Sequence, residues 1–208
     1  MGVGFKRPIP FFLNYNMRSY KVITAAASNV LTTAEVKSHL KVDTTADDTL
    51  IDNLIIAATN SCQEYTNRFF ITTEITQYGD NWSDVSELFK SPVQTTLFNI
   101  KYWDTTGTLQ SLATTKYTLD NVSQPARLAP APDESWPSII DGLNAIEVNY
   151  KVGVDNAADV DNAIKQALLL TIGHWYQNRE AVIVGRQVNE MPMSAKYLLD
   201  QYKIQVIR

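Results

Sequence analysis

One stretch limits what this chain can become more than any other: NAADVDNAIKQALLLTIGHWYQNRE, from Asn156 to Glu180. Val160, Ile164, Leu168, Ile172 and Trp175 recur at three- and four-residue spacing, with Ala167, Thr171 and Tyr176 beside them. That is an apolar stripe at helical period, and it predicts a helix over 157–179. Asn156 is the expected N-cap, Asp159 and Asp161 put negative charge in the first turns, and Arg179 lies near the end, as the helix dipole prefers. Leu169 and Leu170 widen the stripe beyond one face, so the helix is expected to pack on more than one neighbour, with Trp175 buried among them.

Two further helices come from the N-terminal third. Thr32-x-x-Glu35 is a capping box, and Leu31 with Val36 stands where a hydrophobic staple belongs, which predicts a helix over 32–41. Thr44 or Thr45 then caps a longer helix over 45–67, with Asp47 and Asp48 in its first turn. Leu50, Ile51, Leu54, Ile55, Ala58, Cys62 and Tyr65 form its inward stripe. Asp43, Asp47, Asp48 and Asp52 lack the order and the glycine of a calcium loop, so capping and solvation account for them.

From Phe70 the texture turns to threonine, aromatic and β-branched residues with period two, over an insertion spanning about 74–152. Strands are expected at Glu74–Tyr78, Glu87–Lys90, Thr96–Trp103, Leu109–Leu112, Tyr117–Asp120, Arg127–Ala129 and Ala145–Val152. Asp104-Thr-Thr-Gly107 is a hairpin turn whose glycine supplies a positive φ. The predicted fold is therefore α+β: a helical core of two N-terminal helices plus a long C-terminal helix, with a β-rich insertion between them.

Residues 1–30 read as an N-terminal arm. Pro8 and Pro10 oppose regular structure, yet Phe5, Phe11, Phe12, Leu13, Tyr15 and Tyr20 are too apolar for a solvated tail, so the arm docks on a partner or lies on its own domain. Residues 181–208 read as a C-terminal docking segment. Val182, Ile183, Val184, Ile204, Val206 and Ile207 form strand-like runs around a short helix over 193–202, with Tyr202 at its end. Such a tail has few internal contacts to offset an ordering cost of roughly 1–2 kcal/mol per residue. It is expected to order on a partner, by packing or strand addition.

Chemistry is sparse. Net charge is −4, which gives no basic footprint for sequence-specific nucleic-acid binding. The single cysteine, Cys62, excludes a disulfide framework, and no apolar run approaches the ~18 residues of a membrane span. His39 and His174 have no partners spaced to make a catalytic site, and no nucleotide, hydrolase or zinc-protease motif occurs. The reading is a non-enzymatic protein with no cofactor and no metal.

Four blocks in order carry a resemblance. Leu31, Glu35, Lys37, His39, Leu40, Val42, Asp47, Asp48, Glu64, Thr66 and Arg68 match an L-T-x-x-E-x-K-x-H-L-x-V opening that leads to an E-x-x-T-x-R helix end. LFKSPV at 88–93 and IKYWD at 100–104 follow, with the Gly107 turn. Ala167, Leu170, His174, Trp175, Tyr176, Asn178, Arg179 and Glu180 match A-x-x-L-x-x-x-H-W-Y-x-N-R-E, and Pro192, Leu198, Leu199 and Tyr202 match a closing pattern. Over 31–202 the chain resembles the head–tail connector (adaptor) proteins of long-tailed bacteriophages, some of which are described as possible DNA-packaging proteins. The resemblance implies a structural virion protein made in the host cytoplasm and placed in the neck. It implies a cyclic homo-oligomer, typically twelve copies, beneath the portal protein and offering a platform to a stopper or tail-completion protein. DNA would pass through the lumen without sequence-specific binding, which a mildly acidic subunit suits. The portal then becomes the first candidate to order residues 181–208. The alternative is a tail-completion or capsid accessory protein that does not bind portal.

Overall fold

The computed structural model describes residues 19–178, 182–183, 186–187 and 191–204. The chain opens on strand β1 (Ser19–Thr24), followed by helices α1 (Thr33–Leu40) and α2 (Asp48–Thr66). The β-rich part holds β2 (Thr73–Gly79), β3 (Glu87–Leu88), β4 (Val93–Trp103), β5 (Leu109–Leu112), β6 (Tyr117–Asp120), β7 (Ala126–Pro130) and β8 (Ile146–Val152). Helix α3 (Asn162–Gln177), the two-residue strands β9 (Val182–Ile183) and β10 (Arg186–Gln187), and helix α4 (Met193–Asp200) complete it. The α+β architecture, helices on both sides of a β-rich insertion, is as the sequence predicts.

Helix α1 forms for the expected reason. The Glu35 amide donates to the Thr32 hydroxyl at 3.2 Å, and the Glu35 carboxylate accepts from the Thr32 amide at 2.7 Å. Those bonds hold the Glu35 carboxyl below its ordinary pKa. Leu31 and Val36, the staple pair, are both buried.

The other two helix starts differ from expectation. Helix α2 begins at Asp48 rather than at 45, with Asp47 as N-cap and neither threonine capping it. Asp47 is occupied elsewhere, accepting from the Tyr176 hydroxyl of α3 at 2.5 Å. Asp48 takes the Lys37 ammonium of α1 at 2.6 Å, and Asp52 takes the Thr33 hydroxyl at 2.5 Å. The acidic run thus ties α2 to both neighbours. Helix α3 begins at Asn162, not 157: Ala157–Asp159 makes a short 3-10 turn after Asn156, and Asp161 is the true N-cap, accepting from the Ala163 amide at 2.9 Å. A carboxylate two residues before that amide outcompetes Asn156, whose own amide goes to Asp159.

A five-stranded antiparallel sheet in the order β1-β2-β8-β4-β5 and a three-stranded one in the order β3-β7-β6 make up the β-rich part. Strand β1 departs from the sequence expectation of an arm over residues 1–30: Ser19–Thr24 pairs with β2 along the sheet edge. The predicted hairpin turn is present, with Gly107 at φ 78° and its amide on the Asp104 carbonyl at 2.9 Å.

Two apolar cores result. The helical one centres on Ile51, Ile55, Ala58, Leu168, Ile172 and Leu199; the sheet one on Ile75, Leu88, Ile100, Ile146, Val148 and Tyr150. Trp175 does not reach the centre. It lies in the last turn of α3, packs on the margin of the helical core and stays half-buried.

The cores meet where residues 68–73 cross 153–155. The Val154 amide donates to the Phe70 carbonyl at 3.0 Å and the Thr72 amide to the Val154 carbonyl at 2.9 Å. Gly153 has φ 94°, and a β-carbon there would stand 2.5 Å from the Ile71 carbonyl carbon. Only glycine serves this crossing.

Gly153→Ala is therefore expected to cost at least about 2 kcal/mol of unfolding free energy, from strain and backbone displacement together. Ile172→Ala should cost about 2–5 kcal/mol as a full core cavity, and half-buried Trp175→Ala less than Ile172→Ala. Denaturant unfolding of the three variants gives the order directly.

Candidate functional site

Among the described residues, strand pairing in the large sheet stops at β1 on one side and β5 on the other, which leaves two sheet edges at opposite ends. The residues of β1 are almost all exposed, as are those of β5 apart from Leu112. Unlike surfaces on opposite sides of a subunit are what a head-to-tail contact between identical copies uses, and exposed strand edges can serve as such surfaces. Near the β4–β5 turn, Trp103 and Leu109 are register partners and both exposed. Ile140, also exposed, donates its amide to the Trp103 carbonyl at 3.0 Å.

On the β1 side an open apolar groove of about 310 Å³ runs between the edge strand and α2. Phe69 and Ile71 line it together with Val22, Ala25 and Ala26 from β1 and its continuation, and Ile56 from α2. Thr59, also in the lining, has its hydroxyl buried with no hydrogen-bond partner.

Close by, Lys90 is almost fully buried, its ammonium 3.7 Å from Glu64 and over the rings of Tyr20 at 5.1 Å and Phe69 at 5.5 Å. Burial pushes its pKa down while Glu64 opposes that shift. This cation, β1 and α2 are locked together by one side chain that the sequence reading passed over as part of a short strand.

The residues proposed from sequence for docking fall into three groups. Val182 and Ile183 form β9 and pair with Gln187 and Arg186 of β10. Val184, Val206 and Ile207 lie outside the described residues. Tyr202 and Ile204 are engaged by the chain itself. Ile204 is 6% exposed and donates its amide to the Thr66 carbonyl at 3.0 Å. The Tyr202 carbonyl accepts from Arg68 Nε at 2.5 Å. Its hydroxyl hydrogen-bonds Asp161, and burial, then that bond and the Asp161 charge, push its pKa up to about 12.

The expectation that the tail orders only on a partner is thus corrected for 191–204. Helix α4 buries Ala195 and Leu199 in the helical core, and the Tyr65 hydroxyl donates to Asp200 at 2.6 Å. What α4 leaves outside is one face with Met193 at 87% and Tyr197 at 81% exposure, four residues apart.

The two histidines sit in packing positions. The His39 ring lies against Gly173 of α3, and His174 Nδ1 is 3.4 Å from the Asn178 amide nitrogen. Among the described residues no three His, Cys, Asp or Glu side chains are placed to hold a metal ion. No helix among them is long and apolar enough to cross a membrane.

The sequence pattern of the family described as phage gp6-like head-tail connector protein matches residues 31–124 and 142–203, well over half of the chain. The chain belongs to that family. The connector is thus a structural virion protein, as the four motif blocks implied. No curated protein sequence matches it. Its fold is shared with chains of gene transfer agent (GTA) particles. One comes from the neck of an empty GTA particle computed with C6 symmetry, at TM-score 0.73 and 18% identity. A second comes from the virion of a native GTA particle, at 0.73 and 19%. A third comes from the neck of a native GTA particle computed with C12 symmetry, at 0.71 and 18%. Each alignment covers 91% of the connector and 97% of the other chain.

Two outcomes follow from the way the tail is tied down. Arg68→Lys, which cannot reproduce the guanidinium's paired contacts to Tyr202 and Gln124, should cost about 1–3 kcal/mol and raise hydrogen exchange across 193–204. Because the folded pKa of Tyr202 lies above the ordinary tyrosine value, its contribution to stability is complete below about pH 10 and is lost as pH rises to about 12. Tyr202→Phe should remove that part of the alkaline decline, seen as a difference between the two proteins' unfolding midpoints across this window.

Proposed function

We propose that the connector forms a closed homo-oligomeric ring in the virion neck, seated beneath the portal, through whose lumen DNA passes and whose far side receives a stopper or tail-completion protein. The observation that carries this reading is the fold likeness along nearly the whole chain to proteins of particle necks with C6 and C12 symmetry, in a chain of the connector family. The two sheet edges at opposite ends of the large sheet support it, since a ring closes through unlike patches. Its net charge of −4 also fits a channel that lets DNA slide, because clustered Lys and Arg would hold phosphate.

Portal docking is assigned to the C-terminal region, as Val182, Ile183, Val184, Val206 and Ile207 suggested from sequence. The exposed Met193 and Tyr197 face of α4 joins them, replacing Tyr202 and Ile204, whose groups are taken up internally. Met193→Glu with Tyr197→Glu should leave unfolding unchanged within about 0.5 kcal/mol, since both are exposed, while abolishing capture by purified portal.

The test of placement is labelling of intact particles with antibody against the exposed Asp104–Thr108 turn. Label confined to the head–tail junction is expected. Label on the capsid faces or the tail tip would contradict the reading.

A further inference from the structure

The groove between β1 and α2 has an owner in this chain. Along one face of α2, Asp52, Ile56, Asn60 and Glu64 recur every four residues. Ile56 and Asn60 form the wall of the groove, and a carboxylate stands one turn beyond each of them. Its lining is largely apolar, with Asn29, Asn60, Gln63 and Thr73 adding polar side chains, and the Thr59 hydroxyl at its wall is buried without a hydrogen-bond partner.

The eighteen residues before Ser19 suit such a lining. They carry Phe5, Phe11, Phe12, Leu13 and Tyr15, together with Pro8 and Pro10, which disfavour a helix. They hold three of the chain's 18 Lys and Arg and none of its 22 Asp and Glu. The remainder has 15 basic against 22 acidic residues, so arm and body are of opposite sign.

Direction bears on whose groove is filled, because an arm entering its own groove would have to double back along β1. Strand β1 enters the sheet with Ser19 opposite Tyr78 and runs toward Glu74, and the groove lies at that later end, by Val22, Ala25 and Thr73. Ser19, where residues 1–18 join the sheet, therefore stands at the end of β1 away from the groove, roughly 17–20 Å off for a six-residue strand. Fully extended, the arm reaches up to about 60 Å, enough to cross to an adjacent copy.

We propose that residues 1–18 of one copy dock into the β1–α2 groove of the next, with their apolar residues against Ile56, Phe69 and Ile71. This rests on the ring assembly proposed above, to which it adds a contact between unlike surfaces. Each copy gives an arm on one side and receives one on the other.

The test mixes two full-length chains, one carrying Asn14→Cys and the other Asn60→Cys, and treats the assembled sample with a short bismaleimide. Native Cys62 is buried, and its thiol is pushed up to about 11, so it stays silent. The expected result is a covalent dimer in the mixture and in neither variant alone. Ala26→Trp, an exposed position that folding tolerates, should fill the groove in the Asn60→Cys chain and reduce the dimer at least tenfold. A dimer undiminished by Ala26→Trp would overturn the groove assignment. A ring of full size with no inter-chain product would overturn the arm exchange and leave the ring standing. Loss of both ring and product would overturn both.

Discussion

The structure depends on a backbone crossing with no room for a side chain. At Gly153 the end of the sheet passes so close to Ile71 that a β-carbon would stand 2.5 Å from backbone atoms, and the bonds on either side join Phe70, Thr72 and Val154. Here the helical core and the sheet core become one body. Just upstream, Asn67 takes the left-handed conformation that ends α2, and its side-chain amide donates to the Phe89 carbonyl at 2.8 Å. Arg68 then reaches both Tyr202 and Gln124. A few residues thus fix the helices, both sheets and the C-terminal segment relative to one another. Surfaces that meet neighbouring copies on opposite sides must hold a constant angle, and a rigid joint supplies it.

Polar groups inside the sheet are arranged with similar economy. Tyr150 is fully buried and its hydroxyl donates to Gln77 at 2.9 Å, while the Gln77 amide reaches the Asp84 and Glu87 carbonyls at 3.3 and 3.0 Å. Burial pushes the Tyr150 pKa far up, so the hydroxyl stays a neutral donor at any physiological pH. A satisfied buried network of this kind fixes which strand lies against the β3–β7 arm.

Much of the architecture was legible because its signals are local. The Thr32/Glu35 capping box, the Leu168/Ile172 stripe and the Gly107 turn each depend on residues within a few positions, and strands β5 and β6 have the predicted bounds. Strand β1 was hidden since its residues are exposed on both faces and leave no alternation to read. The start of α3 was misplaced because Asn156 and Asp161 are both good caps, and only the 3-10 turn between them decides. The candidate surfaces were less visible still. The groove joins residues 22–26 to 56–71, and the burial of Ile204 depends on a carbonyl at Thr66, contacts that no spacing rule contains. The motif residues Arg68, His39 and His174 were correctly singled out, but their packing and tethering roles needed three dimensions.

The backbone joint at Gly153, the sheet edges at β1 and β5 and the family membership all support the proposed ring. The mass of the purified full-length protein in solution, measured alone and with purified portal, tests this most directly. The account predicts one discrete closed oligomer at an integral multiple of the subunit mass, present alone or appearing when portal is added. A protein that stays monomeric in both samples, at concentrations well above those of an assembling particle, would contradict it.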